Sequence, residues 1–443
     1  VNGRVVIVGG GLAGAEAAFQ VATRGGHAVL LEMKPARRSP AHTLDTLAEL
    51  VCSNSLKSND TGTASGLLKA EMRRMGSLVL EVADETSVPA GGTLAVDREA
   101  FSVRMTERLK EAGVEIVPGE VTSIPDDSPV VIATGPLTSE AFAASINEHV
   151  GTENLYFYDA VAPIVYAESI DTEKTYMASR YDKGPADYMN CPMNTAEYEA
   201  FVAALIEADS VVPHEFENTP YFEGCMPIEA LAERGPDTLM FGPMRPVGLI
   251  DPHTGRRPHA VVQLRRENTE GTLYNLVGFQ TRLKFSEQKK VFAMIPGLES
   301  AEFARLGKLH RNTYIDSPRL ITRFQRLSSE PRIFFAGQIT GVEGYMESAL
   351  SGLLAGINAL RVATGTSPCV VPPPETISGA LMRYISGDGA EEDSKHSFQP
   401  MNSNFGLLAA PEIRNKRERR AKQVELAIAG IDSWVNEFLQ PKG

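Results

Sequence analysis

The chain has 443 residues, 43% of them apolar and 22% charged, a globular composition too long for one core and suited to roughly two or three domains. A net charge of −13 argues against polyanion binding by the surface as a whole. The four cysteines, Cys52, Cys191, Cys225 and Cys369, form no C-x-x-C pair, and the histidines form no H-x-H or H-E-x-x-H, so neither a disulfide scaffold nor a metal site is expected.

Val5-Val6-Ile7-Val8 reads as a buried strand, followed by Gly9-Gly10-Gly11-Leu12-Ala13-Gly14 and an alanine-rich helix. In this G-x-G-x-x-G run Gly9 permits the turn out of the strand, Gly11 lets a pyrophosphate approach the backbone, and Gly14 lets the helix pack close to the sheet. Glu32 ends the next apolar strand, 18 residues past Gly14, where a carboxylate accepts hydrogen bonds from an adenosine ribose. A helix is predicted over 97–112 with Asp97 as N-cap, then strands at 114–117 and 121–124. Val130-Val131-Ile132 with Ala133-Thr134-Gly135 forms a further strand, of the kind that runs beneath the cofactor in two-dinucleotide-binding flavoproteins.

From 146 to 270 Tyr, Pro, Asn and Glu become frequent, and Pro192, Pro213, Pro220 and Pro227 are expected to break long elements. An inserted α+β domain is expected there. Ile333 to Gln338 then resumes the α/β texture, with Gly341-Val342-Glu343-Gly344 leading a small-residue helix from Tyr345 to about Ala363. That helix start can stabilise negative charge on a reduced flavin. Where many flavoproteins carry Asp after the glycine, Gln338 follows Gly337. The expected fold is therefore α/β: a Rossmann-like FAD domain in two parts, 1–145 and 271–443, around an inserted domain at 146–270. FAD contacts are expected from Gly9, Gly10, Gly11, Leu12, Ala13, Gly14, Glu32, Ala133, Thr134, Gly135, Gly337, Gln338, Gly341 and Val342. With one G-x-G-x-x-G, no separate nicotinamide domain is expected. No apolar run reaches about 18 residues and no basic leader precedes the first strand, which predicts a cytoplasmic protein without a membrane partner.

Cys52 stands where an apolar run gives way to Ser53-Asn54-Ser55, and Cys225 between Gly224 and Met226-Pro227. From local context each is either a small buried hydrophobe or a reactive thiol. Cys191 and Cys369 take the structural reading, and Trp434 reads as packing. Two basic clusters, Arg282, Lys284, Lys289 and Lys290, and Arg414, Lys416, Arg417, Arg419, Arg420 and Lys422, are either solvated helix faces or phosphate contacts.

The runs Gly9–Gly14, Glu32–Pro35, Ala48–Leu56, Val88–Gly92, Ala178–Gly184, Tyr221–Glu229 and Phe241–Leu249 closely resemble the TrmFO family of folate- and FAD-dependent tRNA (uracil-5-)-methyltransferases, related to the GidA flavoproteins, over nearly the whole chain. The resemblance implies methylation of C5 of the T-loop uridine of tRNA. It implies FAD as redox carrier, 5,10-methylenetetrahydrofolate as carbon donor and NADH or NADPH as reductant, with no obligate protein partner. It also implies catalytic roles for Cys225, as nucleophile at uracil C6, and for Cys52, as a thiol beside the flavin; the two roles are exchangeable. Arg282, Lys284, Lys289, Lys290, Arg414, Lys416, Arg417 and Arg420 become candidate RNA contacts. The alternatives are a GidA-type wobble-uridine enzyme, which would be longer, a flavin oxidoreductase acting on a small metabolite, and an S-adenosylmethionine methyltransferase, whose fold has no place for FAD.

Overall fold

The computed structural model describes residues 3–39, 41–126, 129–151, 155–182, 185–211, 226–366, 368–388 and 398–440, with the side chains of 155–159, 182 and 309–312 excepted. The first sheet is parallel, in the order β16 (Ile333–Phe335), β7 (Val130–Ile132), β1 (Arg4–Val8), β2 (His27–Glu32), β6 (Glu115–Pro118). Its central strands are continuous apolar runs because they are buried in the core. Val5 to Val8 and Val130 to Ile132 are buried throughout. In register, Val8 faces both Leu31 and Ile132, and Phe335 faces Ile132, so the carboxyl ends of β1, β7 and β16 lie side by side.

Helix α1 (Leu12–Thr23) leaves β1 and is clamped against α11 (Tyr345–Ala363). A Cβ at Gly352 would lie 2.0 Å from the Ala13 carbonyl oxygen, and one at Gly356 2.5 Å from that of Ala17. The small residues of both helices are thus a packing requirement. The same body also contains α2 (Ala64–Arg74), α3 (Leu78–Glu85), α4 (Arg98–Glu111), α5 (Glu140–Val150), α10 (Ser317–Leu320) and α12 (Ile377–Ser386). Asp97 caps α4 by accepting from the Ala100 N–H at 3.0 Å, as the sequence predicts. No strand forms at 121–124. The chain turns at Gly119, whose N–H bonds the Glu32 carbonyl, and Val121 faces the cleft described below.

A small antiparallel sheet, β3 (Ser55–Ser58), β5 (Thr93–Val96), β4 (Ser87–Val88), flanks this body. The second body is built on an antiparallel sheet in the order β10 (Tyr176–Met177), β11 (Tyr188–Met193), β12 (Ala260–Arg266), β13 (Leu273–Leu276), β9 (Ile164–Tyr166), β14 (Phe303–Arg305). Helices α6 (Thr195–Glu207), α7 (Ile228–Glu233), α8 (Thr238–Phe241) and α9 (Phe285–Phe292) accompany it. Its core takes residues from Val165 to Leu298, including Phe279, Leu283 and Phe292, so the inserted body extends past the expected boundary at 270. The β12–β13 pair continues the sheet there and α9 supplies core residues. The chain returns through the ribbon of β8 (Leu155–Ala160) and β15 (Leu309–Tyr314). Pro192 does not break an element: it sits inside β11 opposite Val261, past Asn190, whose partner Tyr176 is where β10 begins, so its missing N–H disrupts no ladder on that side. Pro227 precedes α7, and Pro213 and Pro220 lie outside the described residues. Trp434, on α13 (Lys416–Phe438), is buried against Phe438.

Candidate active site

A cleft opens at the carboxyl ends of β1, β7 and β16. Three segments far apart in sequence line it: Gly9 to Ala13, Ala133 to Gly135, and Gly337 with Gln338. Gly9 has φ +101° and hugs the next strand, since a Cβ there would lie 2.6 Å from the Ala133 carbonyl. A Cβ on Gly14 would sit 1.8 Å from the Gly9 carbonyl oxygen, whereas at Gly11 nothing lies within 4 Å. The motif therefore packs tightly at its ends and leaves room in its middle. The first turn of α1 has no side-chain cap, so its N–H groups face that room. This geometry accepts a pyrophosphate.

Glu32 closes one end of the cleft. Its buried carboxylate accepts from the Gly10 N–H at 2.6 Å and the Lys34 N–H at 2.9 Å, which fixes it beside the glycine turn. Lys34 is also buried, 4.0 Å from the Glu49 carboxylate, and burial pushes its ammonium below the ordinary lysine range while Glu32 and Glu49 oppose that shift. His42 lines the same wall with Nδ1 2.6 Å from Ser39 Oγ; burial, with Lys34 nearby, pushes its imidazole down and keeps it neutral. These groups suit the ribose and base of an adenosine. Neither Lys34 nor His42 stands in a motif that spacing alone would flag.

At the other end Val51 and Tyr345 line the cleft, and Cys52 follows, half-buried. The Cys52 and Ser53 N–H groups both donate to Tyr345 Oη, at 2.8 and 3.1 Å. Burial pushes the Tyr345 phenol well up, so it stays neutral. Three arginines grip the same loop. Arg98 donates to the Leu50 carbonyl at 2.8 Å and pairs with Glu267 at 2.9 Å. Arg305 donates to the Val51 and Cys52 carbonyls at 3.2 and 3.1 Å. Arg265 reaches Ser53 Oγ at 2.7 Å and Asn54 Oδ1 at 3.0 Å. Burial, with Arg98 beside it, pushes the Arg305 guanidinium down to about 10, still charged at neutral pH. Arg265 and Arg305 belong to the inserted body, which therefore holds the Cys52 loop against the first.

The other expected residues divide. Gln338 faces the cleft with its amide donated to Glu343 at 2.8 Å. Gly341 and Val342 are not on the cleft wall: Gly341 lies under the Phe398 ring and Val342 bridges Met401, because the chain at 398–401 covers them. Cys225 lies outside the described residues. Cys191 is fully buried, which pushes its thiol up, and Cys369 accepts from Arg326 at 3.8 Å, both structural settings. In the first basic cluster Arg282 pairs with Glu229 and Glu233, Lys284 with Asp209, and Lys290 with Glu287, leaving exposed Lys289 as the member with no ion pair among the described residues. In the second, Arg414, Lys416, Arg417 and Arg420 are exposed, Arg420 lies over the Phe405 ring, and Lys422 pairs with Glu425. Lys416 and Arg417 occupy the first turn of α13, the helix end where the dipole disfavours cations by roughly 0.3–1 kcal/mol. No helix among the described residues is long and apolar enough to cross a membrane.

The family described as "Glucose inhibited division protein A" matches residues 4–367. The chain is similar to two GidA crystal structures from Aquifex aeolicus, at TM-scores of 0.72 and 0.71 and 16% and 17% identity, covering 99% of this chain and 74% and 76% of theirs. That likeness shows the fold. Among curated relatives, the methylenetetrahydrofolate–tRNA-(uracil-5-)-methyltransferase TrmFO of Geobacter sulfurreducens is 56% identical over 98% of this chain and 99% of its own. The protein of the same name from Lactobacillus acidophilus is 52% identical over 98% of this chain and 99% of its own. With more than half of its residues shared over nearly its full length, and with the expected dinucleotide cleft in place, the chain belongs to the TrmFO family of tRNA methyltransferases within the wider GidA fold.

Proposed function

We propose that this protein methylates C5 of the T-loop uridine of tRNA in the cytoplasm. The carbon comes from 5,10-methylenetetrahydrofolate and the reducing equivalents from NADH or NADPH by way of FAD. The observation that carries this reading is the meeting of the glycine floor, the Glu32 wall and the Cys52 loop along one cleft, in a chain 56% identical to an enzyme of that name. The cleft fits FAD: open space at Gly11 and uncapped α1 N–H groups for the pyrophosphate, and Glu32 for the ribose. Bound there, FAD supplies the two electrons that take a one-carbon unit from the methylene to the methyl level.

The residues of the chain supply the rest. Uracil C5 is a poor nucleophile until a group adds at C6, and a thiolate is the side chain suited to reversible addition. In this reading Cys225 adds to C6. Cys52, held at the cleft by Tyr345 and the three arginines, carries the one-carbon unit or takes the proton from C5. The target base must leave the folded tRNA elbow to reach either thiol, so phosphate contacts are required. With Arg282, Lys284 and Lys290 ion-paired, exposed Lys289 and the exposed cations Arg414, Lys416, Arg417 and Arg420 are the candidates that remain of the two clusters. Ribothymidine formation in an unmodified tRNA transcript, with methylenetetrahydrofolate and S-adenosylmethionine supplied separately, tests the reading. Product with the folate alone is expected, and product with S-adenosylmethionine alone would overturn it. Trapping by 5-fluorouridine RNA separates the thiols: Cys225→Ala should abolish the covalent complex, and persistence of the complex would move the nucleophile to Cys52.

A further inference from the structure

Two of the runs that carry the resemblance, 178–182 in its described part and 241–249, do not line the cleft, yet the fold brings them together on the inserted body. Arg180 joins them: it donates to the Arg245 carbonyl and, at 3.1 Å, to the Val247 carbonyl, and Nε holds Gln263 at 2.9 Å. Tyr181 donates its N–H to the Gly248 carbonyl at 2.8 Å and lays its ring on Gly248, where a Cβ would lie 2.9 Å away. Its φ of +61° is a conformation that L side chains rarely adopt. This packing holds a tyrosine ring that stays 54% exposed.

Beside it runs an open groove lined by Phe241, Arg245, Arg256 and Arg257. Phe241 is 83% exposed, the most exposed large apolar side chain among the described residues. The three arginines are exposed and none is ion-paired among the described residues. The nearby carboxylates are engaged locally: Glu197 accepts from the Asn194 N–H, and Asp251 from the His253 N–H and the Thr254 hydroxyl. On a chain of net charge −13, an arginine group with no ion pair among the described residues, beside two presented aromatic rings, is the composition that binds single-stranded nucleic acid.

The groove is tied to the candidate active site through one buried strand. Gln263, which holds Arg180, and Arg265, which holds Ser53 and Asn54, are alternate residues of β12 and so share one face of the strand, about 6.6 Å apart. We propose that Tyr181, Phe241, Arg245, Arg256 and Arg257 form an RNA-contact surface that stacks unpaired nucleotides of the substrate on the rings and seats their phosphates on the guanidiniums. This rests on the reading of the protein as a tRNA enzyme.

Binding of a labelled unmodified tRNA transcript to the FAD-loaded protein, followed by anisotropy across a salt series, tests it. Arg256→Ser with Arg257→Ser should weaken binding about tenfold at low salt and make the salt dependence shallower by roughly one phosphate contact or more. Phe241→Ala should weaken binding about tenfold with the salt slope unchanged, and Phe241→Tyr should restore it. Every variant should keep its flavin absorbance and NAD(P)H oxidation, which separates these losses from misfolding. Unchanged affinity and slope in both variants, with wild-type binding intact, would overturn the surface and leave the enzymatic reading standing. A raised KM for methylenetetrahydrofolate at unchanged tRNA affinity would also overturn it, assigning the arginines to a folate carboxylate. Failure of the wild-type protein to bind tRNA would count against the enzymatic reading itself.

Discussion

The glycine floor of the cleft is made by backbone from one short stretch, Gly9–Gly14, whereas the Cys52 loop is held by side chains from three distant places, Arg98, Arg265 and Arg305. The floor depends on the absence of atoms. The loop depends on charge: guanidiniums drawn from both bodies, one opposed by the buried carboxylate of Glu267. The first arrangement should fail when volume is added and the second when a charge is removed.

Gly14→Ala breaks the floor most severely. Its methyl would lie 1.8 Å from the Gly9 carbonyl oxygen, backbone that cannot yield without moving α1, so a cost above roughly 3 kcal/mol and colourless purified protein are expected. Flavin absorbance checks this. Next is Arg98→Ala, which leaves Glu267 buried without its partner and should lower unfolding free energy by about 3 kcal/mol in denaturant titrations, with FAD retained. Replacing both partners with apolar residues should recover much of that loss. Cys52→Ala should leave stability and flavin content nearly intact but slow turnover about a hundredfold, roughly 2.7 kcal/mol in the barrier; normal turnover would reduce Cys52 to packing. Arg417→Ser with Arg420→Ser should weaken tRNA binding about tenfold and flatten its salt dependence.

The smallest effect is one of pH, and it contrasts the buried charges of the two regions. Behind the floor they are carboxylates: Glu16 accepts from the Leu78 and Val79 N–H groups at the start of α3, and Glu71 from those of Ile377 and Ser378 at the start of α12. Burial pushes Glu16 up, and Glu71 up to about 7 from 4.5. The folded chain thus holds a proton at Glu71 that the unfolded chain has released, so this contribution to stability is complete below about pH 4.5 and lost as pH rises toward 7. The melting temperature should fall by a few degrees over that window, and Glu71→Gln should remove the slope.

The same contrast explains what could be read from the sequence. Gly9 to Gly14, Glu32, Ala133 to Gly135 and Gly337 line or build the cleft where their spacing predicts, because each belongs to a strand–turn pattern whose function is local. Gly341 and Val342 continue such a pattern yet face Phe398 and Met401, a tertiary contact that no local period encodes. Arg98, Arg265 and Arg305 carry no local signal, because an arginine in a helix or strand has no signature until its partner loop is in place, and Tyr345 reads only as the start of its helix. Arg282 and Lys284 illustrate the converse: charge clusters are visible in sequence, but their neutralisation by Glu229, Glu233 and Asp209 is not. The change of texture from residue 146 is visible in composition, whereas the extent of the second core to Leu298 is not, since β13 and α9 carry the same apolar patterns as the body to which the chain returns.

The close seating of α11 on α1 has a mechanical consequence. One helix begins at the dinucleotide turn and the other at the tyrosine that fixes the Cys52 backbone, and with carbonyls standing where side chains would otherwise sit, no soft layer separates them. A shift of either helix is therefore expected to carry the other with it, so that the turn at Gly9–Gly14 and the backbone of Cys52 are positioned by one shared packing seam.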